Sequence, residues 1–230
     1  MKKPIGPEHE RYATWFERRL GPRNLVDEAT LLAIADACDD SVRTGTLTPK
    51  QLQLVVDGVS HPRVILWSNA ADLLKKLSGR SPAAAEAIVT LMKNRKSHVR
   101  FAALCSLGTE TPVEITDAAL RSGLTERSSE VRWKAADRAN RLERVNLVPD
   151  IMAALAKEPE GKAKRSMELD LRMLRDGHWI RPGSPGWFNV TARMTEGIAS
   201  RGVSEEELKS KGLDRILVEL RYGRPGGGAV

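Results

Sequence analysis

Residues 97–108 read SHVRFAALCSLG, and residues 129–142 read SEVRWKAADRANRL. The two stretches align at an offset of 32 residues. The matched apolar positions are Val99, Ala103 and Leu107 in the first copy and Val131, Ala135 and Ala139 in the second. Residues four apart lie on one face of a helix, so each stretch predicts a helix with one buried side. A fixed period of this size is typical of proteins built from stacked repeats.

The same period extends over residues 48–176 and predicts four helical hairpins. The positions that mark the buried face of the first helices are Val56, Ile88, Leu120 and Met152, together with Val55, Ala87, Ala119 and Ile151. The hairpins are predicted at 48–79, 80–110, 111–143 and 144–176, with second helices that begin near residues 61, 97, 129 and 161. In the first hairpin the second helix fits best with Leu66, Ala70 and Leu74, one residue out of register.

Helix starts give independent support for these hairpins. Thr48, Ser81 and Thr111 each precede a proline, which is favoured in the first turn of a helix. Gln51 and Glu114 follow two of them by three residues, and this spacing predicts capping boxes at Thr48 and Thr111.

The two ends of the chain differ from the repeats. Residues 1–47 contain helical patterns near 7–20 and 27–42, which we interpret as capping helices, because terminal repeats are usually atypical. Residues 177–223 contain strand-like alternation, clearest at 188–194, followed by two helical segments. We expect a small α+β cap there, and a flexible tail at 224–230.

The two quoted stretches share a Val-Arg pair followed by small residues, and the first ends with a leucine. This pattern resembles that of the HEAT-repeat family, and the resemblance covers residues 48–176. The resemblance implies an all-α superhelix, a solenoid of helical hairpins in which the second helices line the concave and often binding side. It also implies that an acidic residue lies shortly before each second helix. The side chain of this acidic residue is expected to face the basic residue in the first turns of that helix. Glu126 before Arg132 and Glu158 before Lys164 fit this rule, whereas Asn94 stands before Arg100.

Composition and charge limit the classes of function. The chain has 230 residues and a net charge of +7, of which residues 60–178 carry +6. A basic field favours anionic partners. Cys38 and Cys105 are predicted to be buried thiols, and no metal-binding, phosphate-loop or catalytic motif occurs, so we expect no cofactor and no metal. Without an apolar run long enough to span a bilayer or a secretory signal, we expect a cytoplasmic protein.

Basic residues on the predicted second helices form the candidate binding site. These residues are Arg100, Arg132, Lys134, Arg138, Arg141, Lys164 and Arg165. Stacking of the repeats would align them as a stripe, which predicts a non-catalytic adaptor with an acidic protein partner. The competing interpretation is that several of them form structural ion pairs with Glu126 and Glu158.

Trp133 and Asp137 raise an alternative, because their spacing places them on one helix face. An aromatic residue and a carboxylate on a basic surface resemble the HEAT-like alkylpurine DNA glycosylases. That resemblance implies that the carboxylate stabilises the cationic sugar formed as a damaged base departs. An ordinary pairing of Asp137 with Arg141 remains open, and so do nucleic-acid binding without catalysis and a HEAT-type bilin lyase, for which no residue signature is found.

Overall fold

The computed structural model describes residues 25–195 and 197–222, and these form helices with one small sheet. The predicted helix at 7–20 and the tail at 224–230 lie outside the described residues. The chain divides into two compact units, 1–138 and 139–230, and each is treated by itself below. None of the described helices is long and apolar enough to cross a membrane.

Seven helices occupy the described part of the first unit, the last of them continuing three residues beyond it. They are α1 (Leu25–Thr44), α2 (Pro49–Val59), α3 (Val64–Ser78), α4 (Pro82–Met92), α5 (Ser97–Cys105), α6 (Val113–Leu124) and α7 (Ser129–Arg141). Helix α2 packs on α3, and α4 packs on α5. The first helices α4 and α6 also contact one another, as do the second helices α3 and α5. Like helices of successive hairpins are therefore neighbours.

The repeat pattern marks the buried side of these helices correctly in most places. All six matched positions are buried, although Leu107 lies beyond the end of α5, and so are Leu66, Ala70 and Leu74 of α3. On the first helices, Ile88 and Leu120 have no exposed side-chain surface. Val55 rather than Val56 is the fully buried residue of α2, because that helix is rotated by one position relative to α4 and α6.

Two of the three predicted helix starts form as expected. Thr48 makes a complete capping box with Gln51, and the Ser81 side chain accepts a hydrogen bond from the backbone N–H of Ala84. Thr111 differs, since its side chain makes no cap bond and Pro112 is the residue before α6. The Thr111 hydroxyl is buried and lies 2.7 Å from the hydroxyl of Ser78 at the end of α3. A partner far away in sequence therefore takes the place of the local capping box.

Beyond the end of α7, the described part of the second unit contains a short 3-10 helix (Val145–Leu147), four α-helices and an antiparallel sheet. Its elements are α8 (Val148–Ala156), α9 (Lys162–Asp176), β1 (His178–Pro182), β2 (Trp187–Met194), β3 (Gly197–Ser204), α10 (Glu205–Lys211) and α11 (Leu213–Tyr222). The strand order is β1-β2-β3, and all three strands form one antiparallel sheet. The sheet and α11 together form a core of Val190, Ala192, Val203, Ile216 and Leu217. Met152 was predicted to lie on the buried face of α8, but its side chain is 51% exposed. The neighbouring Ile151 is the buried residue.

Polar contacts hold the sheet in place within this unit. Arg193 of β2 donates to a carboxylate oxygen of Glu143 at 2.7 Å and to the carbonyl oxygen of Asn140 at 2.9 Å. Oε2 of Glu219 on α11 forms ion pairs with Nη2 of Arg201 on β3 at 3.2 Å and with Nζ of Lys211 on α10 at 3.1 Å. Only 7% of the Glu219 side chain is exposed, so these two cations compensate a nearly buried charge.

Candidate functional site

Arg100 and Arg132 are bound to the loops that precede their own helices. Arg100 donates from Nη1 to the carbonyl oxygens of Asn94 at 2.6 Å and of Arg95 at 3.0 Å. Arg132 repeats the arrangement with the carbonyl oxygen of Glu126 at 2.6 Å and the next carbonyl oxygen along the chain at 2.9 Å. These carbonyls follow the ends of α4 and α6, where backbone acceptors lack intrahelical partners. Both arginines therefore act in the framework of the hairpins.

The carboxylate of Glu126 faces a different arginine from the one that the resemblance implied. It accepts from Nη2 of Arg100 at 2.8 Å, and both side chains are mostly covered, with 13% of Arg100 and 19% of Glu126 exposed. Arg132, six residues after Glu126, takes the backbone carbonyl instead. Glu126 thus connects the hairpin that contains Arg100 with the next one.

Arg138 also has a structural role. Its guanidinium donates to the carbonyl oxygens of Leu104 at 3.2 Å and Leu107 at 3.1 Å, and to that of Cys105. All three carbonyls lie at or just beyond the end of α5. A cation at a helix C-terminus satisfies free acceptors and matches the helix dipole. Arg138 therefore ties α7 to α5 through the backbone.

Lys134 forms the centre of an aromatic and ionic cluster. Its Nζ lies 4.6 Å from the ring centroid of Trp133 and 5.2 Å from that of Phe101. The same Nζ donates to Oδ2 of Asp137 at 3.0 Å, and 15% of Lys134 and 12% of Asp137 are exposed. The predicted neighbours Trp133 and Asp137 do share this region, and Lys134 lies against both. The positive charge of Lys134 is compensated here by the carboxylate and the two rings.

Three aromatic rings form a row across the second helices of the first unit. Trp67 of α3 meets Phe101 of α5 edge to face, with ring centroids 5.8 Å apart. Phe101 meets Trp133 of α7 at 6.4 Å with the rings tilted by 39°. Phe101 stands 32 residues before Trp133, so the repeat register aligns these two rings and was the signal available for predicting their contact. Trp67 stands 34 residues before Phe101 and lies outside that register, so the third ring could not be predicted in this way.

Cys105 lies one helical turn after Phe101 and is half-buried. Burial raises the pKa of its thiol, while the nearby charges of Lys134 and Arg138 act in the opposite direction. The thiol of Cys105 is free, as predicted.

The remaining three candidate residues belong to the second unit. Lys164 pairs with Glu160, and the hydrogen bond that its ammonium group donates to that carboxylate raises the pKa of the Lys164 amino group. Arg165 is exposed on α9, and Arg141 is the exposed last residue of α7. The seven predicted residues thus do not form a single set of solvent-facing cations.

Exposed positive charge lies instead in the loops between first and second helices. We use the term basic edge for Lys93, Arg95, Lys96 and Arg127, all of which are exposed. None of the four makes an ion pair within the described part of the chain. The loops that carry them are neighbours, because the guanidinium of Arg100 contacts Asn94 in one and Glu126 in the other. These four residues were not among the predicted binding residues, because the prediction considered only basic residues on the second helices.

Metal-ligating side chains do not gather anywhere in residues 25–195 and 197–222: no group of three or more could hold a metal ion. No family model matches the chain, and no curated protein matches it either.

Proposed function

We propose that the protein is a non-catalytic binding module made of four HEAT-like repeats over residues 48–176, with a small α+β cap at 177–223. The 32-residue spacing of buried residues supports the repeats. The contacts of α4 with α6 and of α3 with α5 support them further, because stacking of like helices is the property that defines a solenoid. The repeated use of Arg100 and Arg132 fits one structural unit copied along the chain.

The proposed partner is an acidic protein surface, and the basic edge is the observation that carries this proposal. Four exposed cations without ion-pair partners lie in two adjacent loops. Exposed charges that the fold itself does not compensate are available to an anionic partner, and they mainly set association rate and specificity. Three of the cations first expected to bind, namely Arg100, Arg132 and Arg138, support the loops and helices instead.

A direct test uses polyglutamate as an acidic probe and a DNA oligonucleotide of the same net charge for comparison. We expect the protein to bind fluorescent polyglutamate in a salt-sensitive manner, measured by anisotropy. A variant with Lys93, Lys96 and Arg127 all changed to Glu should lose this binding. The matched control changes three other exposed cations, Lys50, Arg80 and Arg172, to Glu and should retain it. Equal binding by both triple variants would remove the basic edge as the site.

Nucleic-acid binding, including alkylpurine DNA glycosylase activity, is a second candidate, and the aromatic row favours it. Aromatic side chains are the usual platform for unpaired bases. Asp137 lies one helical turn after Trp133 on α7, but its ion pair with Lys134 lowers its capacity to stabilise a cationic sugar. This function predicts release of a methylated purine from duplex DNA, and loss of that release in Asp137→Asn. Absence of release by the unaltered protein rules out the glycosylase.

A further inference from the structure

Strand β3 forms one edge of the sheet, and its outer side has no pairing partner. The backbone N–H of Glu205 donates to the carbonyl oxygen of Gly186, and this bond continues the register of β2 with β3. Backbone groups of an antiparallel strand point alternately to its two sides, so every second residue counted back from position 205 bonds to β2. The intervening residues Ile198, Ser200 and Gly202 direct their N–H and C=O groups away from the sheet. None of these groups has a hydrogen-bond partner within the described part of the chain, and all three residues are exposed.

The two edges of the sheet differ in their protection. Edge strands often carry proline, lysine or a bulge, because an open row of backbone groups can pair with another chain. Strand β1 ends with Arg181 and Pro182, and a proline has no N–H to offer to a further strand. Strand β3 contains neither proline nor lysine, and its eight residues pair with β2 without a bulge. The β3 edge is therefore open to a further strand.

Two large apolar side chains lie at the β3 side of the sheet. Ile198 is 58% exposed, and Trp187 of β2 is 50% exposed. Both belong to the same face, because Trp187 pairs with Ser204 and alternate residues of a strand share a face. The Trp187 ring lies beside Gly202, 3.7 Å from the place where a Cβ atom would stand. Open backbone groups and exposed apolar surface thus occur together.

The shape of β3 is complementary to that of a second β3. A second copy can pair antiparallel about a two-fold axis at Ser200, so that the outward backbone groups of residues 198, 200 and 202 meet those of 202, 200 and 198. Ile198 then lies opposite Gly202, which has no side chain to obstruct it, and beside the Trp187 ring of the second copy. Because the axis repeats this contact, each copy supplies both the apolar side chain and the space that receives it.

Charge does not oppose this register. Arg201 is the only charged residue of β3, and it forms ion pairs with Glu207 at 3.1 Å and with Glu219 at 3.2 Å. In the paired strands Arg201 lies opposite Ala199 of the second copy. Neither copy therefore places an uncompensated charge of β3 against the other.

We propose that the protein forms a homodimer through β3, in which two three-stranded sheets join into one continuous antiparallel sheet. Self-pairing satisfies the open backbone groups of β3 and covers Ile198 and Trp187 in both copies. The proposal is independent of the basic edge, because all four cations of that edge belong to the first unit.

Sedimentation velocity of the full-length protein over a series of concentrations tests the homodimer. We expect a reversible change from one chain to two as the concentration rises. Ile198→Lys removes the apolar contact and places a protective charge on the edge, so self-association should weaken about tenfold. Val218→Lys is the matched control, because Val218 is 52% exposed on α11 and its replacement should preserve the dimer. The proposal is overturned by a parent protein that stays monomeric, which would leave the edge to a different protein, or by a dimer that Ile198→Lys does not weaken.

Disulfide capture tests the register of the paired strands. Opposite residues that exchange backbone hydrogen bonds have Cα atoms about 5.5 Å apart, which lies within the range of about 4.4–6.8 Å that disulfides span. In a background of Cys38→Ser with Cys105→Ser, the variant Ser200→Cys should form a covalent dimer on mild oxidation. Ser184→Cys, at an exposed position between β1 and β2, is the control and should stay mostly monomeric. Equal yields of covalent dimer from the two variants overturn the register and with it the proposal.

Discussion

Arg100 and Glu126 form a 2.8 Å ion pair that joins the second helix of one hairpin to the loop of the next. The same guanidinium binds the carbonyl oxygens of Asn94 and Arg95 in its own hairpin. One side chain therefore satisfies acceptors on two successive helical hairpins. The bonds that Arg100 and Arg132 both make to carbonyl oxygens of the preceding loop explain why a basic residue recurs at these two positions, independently of any partner.

The first prediction concerns the stability that Arg100 provides. Arg100→Met removes the ion pair and leaves two carbonyl groups without their charged donor. Hydrogen bonds to charged groups contribute about 1.5–3 kcal/mol each, and partial access of water reduces that loss, so we expect the free energy of unfolding to fall by about 2 kcal/mol. Urea unfolding followed by circular dichroism measures it. Arg95→Met, next to the same loop but exposed, should change it by less than about 0.5 kcal/mol. A stability of Arg100→Met equal to that of Arg95→Met would contradict the structural role.

The apolar framework could be predicted from sequence because it depends on local periodicity. Val99, Ala103 and Leu107 are spaced by four and all three are buried, although α5 ends at Cys105 and only Val99 and Ala103 share its face. Met152 shows the limit of the method, since the pattern includes it and the structure exposes it. A repeat period identifies a helix face to within about one residue, and neighbouring side chains decide which residue is covered.

The roles of polar residues could not be predicted in the same way, because their partners are distant in sequence. Thr111 has the signature of a capping box, yet Ser78 is its partner across 33 residues. Arg138 was expected to face solvent, and its partners are carbonyls 31 to 34 residues earlier. We therefore expect charge reversal of Arg132 and Arg138 to destabilise the first unit, so loss of binding in such a variant would not identify a binding residue.

The second prediction concerns Gly123 in the last turn of α6. A Cβ at this position would lie 2.9 Å from Cβ of Ala135 and 3.1 Å from a methyl group of Leu104. Alanine is favoured over glycine within a helix by about 1 kcal/mol, but overpacking costs about 1–3 kcal/mol. Because the obstructing Ala135 atom is attached directly to the backbone of α7, we expect Gly123→Ala to lower the free energy of unfolding by about 1 kcal/mol.

Thermal and urea unfolding measure the effect of Gly123→Ala, with Ser122→Ala as the control. Ser122 is exposed on the same helix, so its replacement should be neutral or slightly stabilising. Gly123→Ala as stable as Ser122→Ala would show that α6 and α7 are less closely packed than described.

The third prediction concerns the pH dependence of the second unit. The Glu207 carboxylate binds Lys211 at 3.0 Å and Arg201 at 3.1 Å, and the hydrogen bond from Lys211 is the main cause that lowers its pKa. A carboxylate with a lowered pKa in the folded state stabilises the protein fully above its ordinary pKa of about 4.3. The contribution is lost as the pH falls from there through the lower folded value.

We therefore expect the free energy of unfolding to decrease below about pH 5 with a slope that Glu207→Gln makes shallower. Urea unfolding at a series of pH values, followed by the fluorescence of the tryptophans, measures the slope. Glu206→Gln replaces an exposed glutamate of the same helix and should leave the slope of the parent protein unchanged. Identical slopes in all three proteins would mean that the pairs of Glu207 do not persist in solution.

The last prediction uses Cys105 as a probe of the cluster around Lys134. Burial raises the pKa of the thiol, and the thiolate is the reactive form, so Cys105 should react several-fold more slowly than free cysteine with a disulfide reagent at about pH 8. Lys134 opposes this rise in pKa, so Lys134→Met should slow the reaction further at constant pH.

The assay is run in a Cys38→Ser background so that one thiol is followed. Lys76→Met, a lysine replacement on α3, is the control for general effects of lost charge. A faster reaction in Lys134→Met would contradict this prediction and indicate that Lys134 covers the thiol more than it stabilises the thiolate.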